Sequence, residues 1–344
     1  MTCPADVDPV ICDAAAFVQR TRGRPFLTFP VIELLDDVAF EEALLADFEE
    51  YRDDLEVNEV LLIALGLLEP DVSLVDAYRS SLEIGVVGFY QPDGGRLVVR
   101  GAELDLYVQQ VLVHELTHAL DDQWFDLDRD DAVDDEAGYG FTAVVEGNAS
   151  RVDRRWEAAL GPAERADLQR QELRALSPEE LQIYLSLPPV LQQLQASPYV
   201  DGARYVDHLL AQDGEAGVDR ALTSPPTTSE EVLHPGLDRA SDPEIDVEPP
   251  PAGGPVLDEG RLGELVVELW LGPTAADGWG GDRYVTWTEG DRSCVAVDLV
   301  GDDDVESAEQ LEAAKRWAAE AADDRSVAVV TIDAGDGVRV TGCG

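Results

Sequence analysis

The feature that most constrains this chain is the segment 111–124, VLVHELTHALDDQW, which holds two of its four histidines. His114 and His118 are four residues apart, and Glu115 directly follows the first. Small and apolar residues surround the three, which predicts a helix from about residue 104 to 123. Side chains four residues apart lie on one face of a helix, so both imidazoles project toward one point. One interpretation is a structural helix with two half-exposed histidines, and the other is a metal site.

Glu115 favours the metal site. It lies about 100° further round the helix than His114, beside the position that a metal would leave open to solvent. There its carboxylate can take a proton from a water molecule that the metal holds. This chemistry needs two rigid ligands and one base that converge on a single point, and the spacing of the segment supplies that arrangement. The implied metal is Zn²⁺, which in catalytic sites takes three protein ligands and a water.

The best candidate for the third ligand is Glu146, in VVEGNAS, 28 residues beyond His118 on a second predicted helix. If this helix ran antiparallel to the first, it would bring the carboxylate back to the metal. Its neighbours Gly147 and Ala149 are small and allow helices to approach closely. The apolar stretch 141–145 indicates that this face is buried, and a buried acid needs a partner. The alternative is that Glu146 is an ordinary acid, one of 72 in the chain.

The pattern of apolar residues along the chain predicts an α+β fold. In VVGFYQPDGGRLVVRG, two short apolar runs flank a Pro-Asp-Gly-Gly turn, which is typical of a β-hairpin. Helical patterns begin at Asp36, and one predicted helix begins at Pro198 and ends before Gly214. The predicted units are an irregular segment 1–30, a mostly helical domain 31–240, a linker 241–261 rich in proline and glycine, and an α+β unit 262–344.

Charge limits the possible partners. The chain has 72 acids and 24 bases, a formal net charge of −48, and Lys315 is its only lysine. Such a charge disfavours compaction unless salt screens it, so we interpret the chain as salt-adapted. An acidic surface for a basic partner is the alternative, but the acids run along the whole length. Nucleic-acid binding is excluded, because phosphate contacts need clustered cations.

The four cysteines lie near the two ends of the chain, and none forms a CxxC pair that would indicate a zinc-thiolate site. They suggest two local disulfides, Cys3–Cys12 and Cys294–Cys343, and hence an oxidising, extracytoplasmic compartment. Four free thiols in a cytosolic protein are the alternative. The sequence shows no apolar run long enough to span a membrane and no leader in residues 1–20, which indicates a leader removed or lying outside this sequence if the protein is exported.

HELTH, followed by EGNAS on a later helix, resembles the gluzincins, zinc peptidases with two histidine ligands and one glutamate. The resemblance implies a zincin-like catalytic domain, the ligands His114, His118 and Glu146, the general base Glu115, and a peptide substrate. Over about residues 30–290 the chain is similar to a largely uncharacterised bacterial and archaeal group of such proteins. The segments that carry this wider likeness are GFYQPDGGRLVVRG, LVHELTHALDDQWFDL, VVEGNAS, SPYVDGARYV, PPTTSEEVLHP and GWGGDRYVTW.

The resemblance also implies a role for Tyr199. In gluzincin aminopeptidases a Tyr in a Pro-Tyr-x-x-Gly helix start stabilises the oxyanion, and SPYVDGARYV is similar. A phenol aimed at developing negative charge lowers the barrier by several kcal/mol, on the order of 3. The alternatives are that Tyr199 is a packed aromatic, or that Tyr205, His208 or His234 is the donor. His234 can instead stabilise its own loop.

Three features of the family bear on substrate and ligand orientation. Gluzincins place an edge strand above the metal, and RLVVR at 96–100 is the candidate, with an ordinary hairpin strand as the alternative. Thermolysin-like enzymes carry an acid four residues after the ligand glutamate, and that acid orients a histidine. Ser150 occupies the position here, so Asp121, Asp122 or a backbone carbonyl must take that role. The Gly-x-Met-Glu-Asn signature of the aminopeptidases is missing, so aminopeptidase specificity is not supported.

Two functions remain open at this point. The chain is either an active zinc peptidase or a non-catalytic zinc-fold protein of the cell envelope that acts in partner binding or structure. The intact Glu115 favours the first, because a purely structural zinc site needs no base. The unit 262–344 is either a separate binding module or a support for the catalytic part.

Overall fold

The computed structural model has an α+β fold and is mostly helical. It describes residues 3–46, 48–101, 103–129, 132–237, 240, 243–321, 325–332 and 337–344. Within these, the helices are α1 (Pro9–Arg22), α2 (Asp37–Leu44), α3 (Arg52–Leu65), α4 (Leu74–Glu83), α5 (Leu106–Phe125), α6 (Asp135–Ala159), α7 (Pro162–Ala175), α8 (Pro178–Ser186), α9 (Pro189–Asp213), α10 (Glu215–Thr223), α11 (Ser229–Leu233), α12 (Gly263–Leu271), α13 (Pro273–Ala276) and α14 (Asp304–Ala321).

The first sheet lies beside the histidine helix and has three strands: β1 (Val31–Leu35), β2 (Gly88–Gln91) and β3 (Arg96–Arg100). The order is β1-β3-β2, with β1 parallel to β3 and β2 antiparallel to it. The predicted hairpin is therefore confirmed. The prediction that RLVVR is an edge strand is wrong, because β3 has a partner on both sides. β2 is the edge strand that packs against α5.

The second sheet has the strands β4 (Asp258–Gly260), β5 (Trp279–Glu289), β6 (Arg292–Gly301), β7 (Ser326–Thr331) and β8 (Val338–Cys343). Its order is β4-β5-β6-β8-β7, and every neighbouring pair is antiparallel. Cys294 and Cys343 are direct partners across β6 and β8, and they form a disulfide. Cys3 and Cys12 form the other disulfide at the opposite end of the chain, so both predicted pairings are confirmed.

The prediction of an irregular N-terminal segment is wrong for residues 9–22, which form α1. The side chain of Asp8 accepts a hydrogen bond from the Val10 N–H, and a proline occupies the first turn. These are strong helix-start signals. Apolar residues of α1 then pack against α5 in one hydrophobic cluster. The amphipathic pattern covers few residues, so it is a weak helix signal in the sequence. Packing against α5 is what stabilises the helix.

Two helix boundaries also differ from expectation. The helical pattern from Asp36 is divided into α2 and α3, with a short 3-10 turn at Phe48–Glu50 between them. α9 begins at Pro189, and Pro198 lies inside it instead of at its start. Proline within a helix removes one backbone hydrogen bond. Pro198 is buried, so packing holds the helix together through this position.

The proposed division into domains stays a prediction. One helix of the predicted domain 31–240, α3, packs against the predicted unit 262–344. Leu61 and Leu65 of α3 belong to the same buried cluster as Trp279 and Val297 of the second sheet. The first two residues of the predicted linker, 241–242, lie outside the described residues, as does residue 322, the predicted end of the helix here called α14. The remaining linker has no helix or strand until β4 begins.

The described part of the predicted linker, residues 243–261, is hydrogen-bonded to the second sheet. The Ile245 N–H donates to the Gly280 carbonyl and the Leu257 N–H donates to the Thr286 carbonyl, so the chain runs along β5. Val247 is buried. None of the helices in the described ranges combines the length and apolar content that a membrane span requires.

Candidate metal centre

The two histidines project from the middle of α5. Asp105 caps this helix by accepting a hydrogen bond from the Val108 N–H. Leu112, Leu116 and other apolar residues of α5 are fully buried against α1 and β3, which fixes the rotation of the helix about its axis. The opposite face then carries the His114 and His118 rings, whose centroids are 4.8 Å apart.

Glu146 of α6 meets both imidazoles. Its Oε2 lies 3.1 Å from His114 Nε2 and 3.5 Å from His118 Nε2. The three side chains keep only 13%, 11% and 19% of their surface exposed, so they are sheltered but reachable from solvent. One ligand atom from each lies within 4.8 Å of the other two. The structure therefore brings together the three residues that the sequence singled out.

α6 reaches the cluster because it runs antiparallel to α5. Near one end of the contact His114 faces Asp153, and near the other Asp121 faces Asn148. On its other side α6 packs against α9 with backbone nearly touching backbone. A Cβ at Gly147 would lie 2.2 Å from the Gly202 carbonyl carbon, so no larger residue fits there.

The carboxylates around His114 favour positive charge at that position. Burial raises the pKa of Glu146, but His118 and His114 more than offset it, so its pKa falls well below the ordinary range. Burial lowers the pKa of His114, yet hydrogen bonds to Asp153 and Glu146 raise it to well above its usual value. An ionised carboxylate thus lies beside an imidazole that favours its charged form, and a metal ion held there would take the place of the imidazole proton. Two Nε2 atoms and one carboxylate oxygen are a donor set that fits Zn²⁺.

The residue that orients His114 is Asp153, which the sequence analysis missed. Its Oδ2 lies 2.9 Å from His114 Nδ1. The expected candidates, Asp121 and Asp122, are wrong because both are engaged elsewhere, with Arg22 and with the Tyr90 hydroxyl. Asp153 lies seven residues after Glu146, which is about two helical turns and hence the same face. That spacing was the available signal.

Glu115 is buried beside the cluster and is held by the edge strand. Its carboxylate accepts a hydrogen bond from the Tyr90 N–H, and burial is the largest cause that raises its pKa. The strand passes very close to α5 at Gly88, where a Cβ would lie 2.8 Å from Val111 Cγ1 and 3.6 Å from Glu115 Cγ. Gly88 therefore allows β2 to lie against the helix and position the carboxylate.

Tyr199 of α9 faces the same cluster. Its ring stacks on His114 with centroids 5.9 Å apart, and its hydroxyl is hydrogen-bonded to Glu146. Desolvation and the nearby carboxylates raise the pKa of Tyr199, so the phenol keeps its proton. About half of the residue is exposed, 47% of its surface, so the ring lies at the mouth of the site.

The other candidate donors are engaged away from the metal cluster. Tyr205 packs in a separate apolar cluster between α6, α9 and α10. His208 lies against Gly236. His234 Nε2 is 2.8 Å from Glu264 Oε1 of α12, so it ties its loop to the C-terminal unit, which was the alternative role expected for it.

A buried polar network lies behind the cluster and joins four helices. Asp121 of α5 accepts from Arg22 Nε at 2.9 Å, and from Asn148 Nδ2 of α6 at 2.5 Å. Arg151 Nη1 donates to Glu215 of α10 at 2.7 Å, and Arg22 also bonds Glu215. Arg22, Asn148 and Arg151 are at most 2% exposed. Since Asp121 and Asn148 lie within one turn of His118 and Glu146, this network fixes the spacing of the two ligand helices.

A second set of candidate ligand atoms, from Glu289, Cys294 and Cys343, does not form a metal site, because the two sulfurs are joined in a disulfide. No family model matches the chain, and neither a curated protein nor a solved structure matches it. The chemistry of the cluster therefore follows from its own residues and distances.

Proposed function

We propose that this protein is a zinc-dependent peptidase with a zincin-like catalytic domain of gluzincin type. The observation that carries the proposal is the convergence of His114, His118 and Glu146 within 4.8 Å, with buried Glu115 next in the helix. A site for structure alone would not require an additional carboxylate held beside the ligands. The proposed substrate is a polypeptide or peptide.

His114, His118 and Glu146 would hold the metal, and Asp153 keeps the His114 ring in position. By bonding Nδ1, Asp153 would keep a proton on that nitrogen, so that Nε2 would present its lone pair once a metal had replaced its own proton. Zinc bound there would polarise a peptide carbonyl and lower the pKa of a water molecule to about 7.

Glu115 would move the proton. It is buried beside the ligands, and the Tyr90 N–H holds one carboxylate oxygen in place, so it is a positioned base. It would accept a proton from the attacking water and deliver it to the leaving amine. Tyr199, with its hydroxyl bonded to Glu146, would turn that O–H toward the oxygen on which negative charge develops.

The edge strand β2 offers a surface for an extended peptide. The Arg100 N–H donates to the Val87 carbonyl, so in this antiparallel pair the backbone groups of Gly88 and Tyr90 point away from β3. The Tyr90 N–H is used by Glu115. The two carbonyls and the Gly88 N–H would pair with a substrate backbone added as a further strand.

The compartment is proposed on two observations. Both cysteine pairs are oxidised, and such disulfides persist in oxidising surroundings outside the cytoplasm. The net charge of −48 favours work at high salt. An extracytoplasmic, salt-adapted peptidase accounts for both.

The proposal is tested by digesting a proteome-derived peptide library with the zinc-loaded protein in molar salt. We expect cleavage by the wild type and by Glu103→Gln, an exposed acid just before α5 that serves as the control. Glu115→Gln should bind one zinc per chain yet cleave about 100- to 10,000-fold more slowly, the usual range for loss of a general base.

Two results would contradict the proposal in different ways. Zinc binding below about half an equivalent in folded protein would remove the metal site, since one bound ion per chain is the premise of the mechanism. Full zinc binding with no cleavage by any variant would favour the alternative, a non-catalytic zinc-fold protein of the envelope.

A further inference from the structure

A second concave site lies between the helices that carry the metal cluster and the C-terminal unit. It is a cavity of about 320 Å³, lined mainly by leucines from α3, α4, α9 and α12. They include Leu61, Leu62, Leu74, Leu191, Leu194 and Leu265. None of these side chains belongs to the metal cluster, and their role is not explained by the proposed reaction.

The size of the cavity fits a small organic group. An engineered apolar cavity of about 150 Å³ binds benzene, and natural ligand pockets begin at about 300 Å³. A cavity of about 320 Å³ is therefore large enough for a fused two-ring group or a chain of similar bulk. Apolar walls of this kind favour ligands that bury apolar surface when they bind.

The polar end of the cavity favours a hydrogen-bond donor over an anion. Asp135 lies there and is exposed at the mouth. Of the described lining residues only Arg261 is cationic, and its guanidinium is already bonded to Asp134 through two nitrogens and to Glu244. Glu136 also lines the cavity, and it accepts hydrogen bonds from Ser229. An entering carboxylate would meet the like charge of Asp135 and no free cation.

The cavity is separate from the metal cluster but shares two helices with it. Tyr139 of α6 lines the cavity seven residues before Glu146, about 10 Å along the helix axis. Its hydroxyl lies 2.6 Å from Ser197 Oγ of α9. On α9, Gln195 lines the cavity one turn before Tyr199. A ligand there would touch both helices and the C-terminal unit without reaching the metal.

We propose that this cavity is a binding site for a small apolar amine, with the apolar part among the leucines and the ammonium at Asp135. The site joins α3, α6, α9 and α12, so a bound amine stabilises their arrangement by mass action. Amine binding needs neither zinc nor catalysis, so this proposal can be tested separately from the proposed peptidase activity.

The test is calorimetric titration with three probes of one shape: 1-naphthylmethylamine, 1-naphthalenemethanol and 1-naphthoate. Molar salt suppresses non-specific attraction of the cation to the acidic surface, while a pair within the cavity is screened less. We expect one site per chain, with the amine bound at least about tenfold more tightly than the carboxylate, a difference of about 1.4 kcal/mol. Zinc-free and zinc-loaded protein should give the same result.

Three variants locate the site. Leu194→Trp fills the cavity and should weaken amine binding at least about tenfold, since the aromatic ring takes the ligand's volume. Leu181→Trp on the exposed face of α8 should leave it unchanged. Asp135→Asn should remove the preference for the amine over the alcohol while alcohol affinity persists, which separates a lost charge from misfolding. Non-saturable binding, equal affinity for the carboxylate, or full affinity in Leu194→Trp would overturn the proposal.

Discussion

Two glutamates lie ten residues apart on α6, Glu136 buried and Glu146 largely shielded from solvent, and their surroundings shift their pKa values in opposite directions. At the N-terminal end, burial raises the pKa of Glu136 to about 8, although hydrogen bonds from Ser229 partly offset the shift. In the middle, the two imidazoles hold the pKa of Glu146 well below its ordinary range. Burial acts on both, so the difference comes from the neighbours.

The difference separates a structural carboxyl group from a candidate metal ligand. Glu136 faces neutral donors and Gly263, whose lack of a Cβ gives it room, so it joins α6 to α11 and α12. Glu146 faces two bases that can share a cation with it. One helix therefore carries a junction at one end and a candidate metal ligand in its centre.

The largest expected effect comes from removing the buried polar network that lies behind Glu146. Arg22→Met leaves Asp121, Glu215 and Asp219 close together without their shared cation. Loss of one member of a buried ionic network typically costs about 3–5 kcal/mol. Urea unfolding should show a loss of that size, whereas exposed Arg20→Met should cost under about 0.5 kcal/mol. Equal stability of the two variants would mean that the network supports nothing.

Next in size is the contrast between the two glutamates in zinc affinity. Loss of a residue that merely orients a ligand costs about 10- to 100-fold in affinity, so loss of the ligand itself in Glu146→Gln should exceed about 100-fold. Glu136→Gln should stay within about twofold. Competition with a zinc-selective chelator measures both. Similar losses in the two variants would show that Glu146 acts only through the fold.

Asp153 should have an intermediate effect. Asp153→Asn removes the carboxylate that orients His114 and should weaken zinc binding about 10- to 100-fold. Ser150→Ala changes the position at which thermolysin-like enzymes carry the orienting acid. It should change zinc affinity by no more than about twofold. The same chelator competition compares them, and a larger effect at Ser150 would reverse the assignment.

The last effect, small over any single pH unit, is a pH dependence at the Glu136 end. Its pKa rises from 4.5 to about 8 on folding, so between these values the folded state binds more protons than the unfolded state. Stability from this group is full below pH 4.5 and is lost as pH rises toward 8, with a slope of at most about 1.4 kcal/mol per pH unit. Glu136→Gln should flatten that slope in urea unfolding series. An unchanged slope would show that Glu136 is ionised in the folded state.

Local signals in the sequence predicted much of the site, because an HExxH helix and a later glutamate need little more than helix geometry. The hairpin and the α+β class were predicted from local patterns, and the disulfides from the placement of the four cysteines near the two ends of the chain. Strand pairings and ion pairs between distant segments were not predicted. β1 pairs with β3 and turns RLVVR into a central strand, and Arg22 reaches Asp121 across 99 positions. No local spacing encodes either contact.

The central claim is that one zinc ion binds His114, His118 and Glu146. It is tested most directly by anomalous diffraction at the zinc absorption edge, from crystals grown with one equivalent of zinc in molar salt. One strong peak is expected, about 2.0–2.2 Å from the two Nε2 atoms and a Glu146 oxygen. A zinc peak at another place in the molecule, with none between these three side chains, would contradict it.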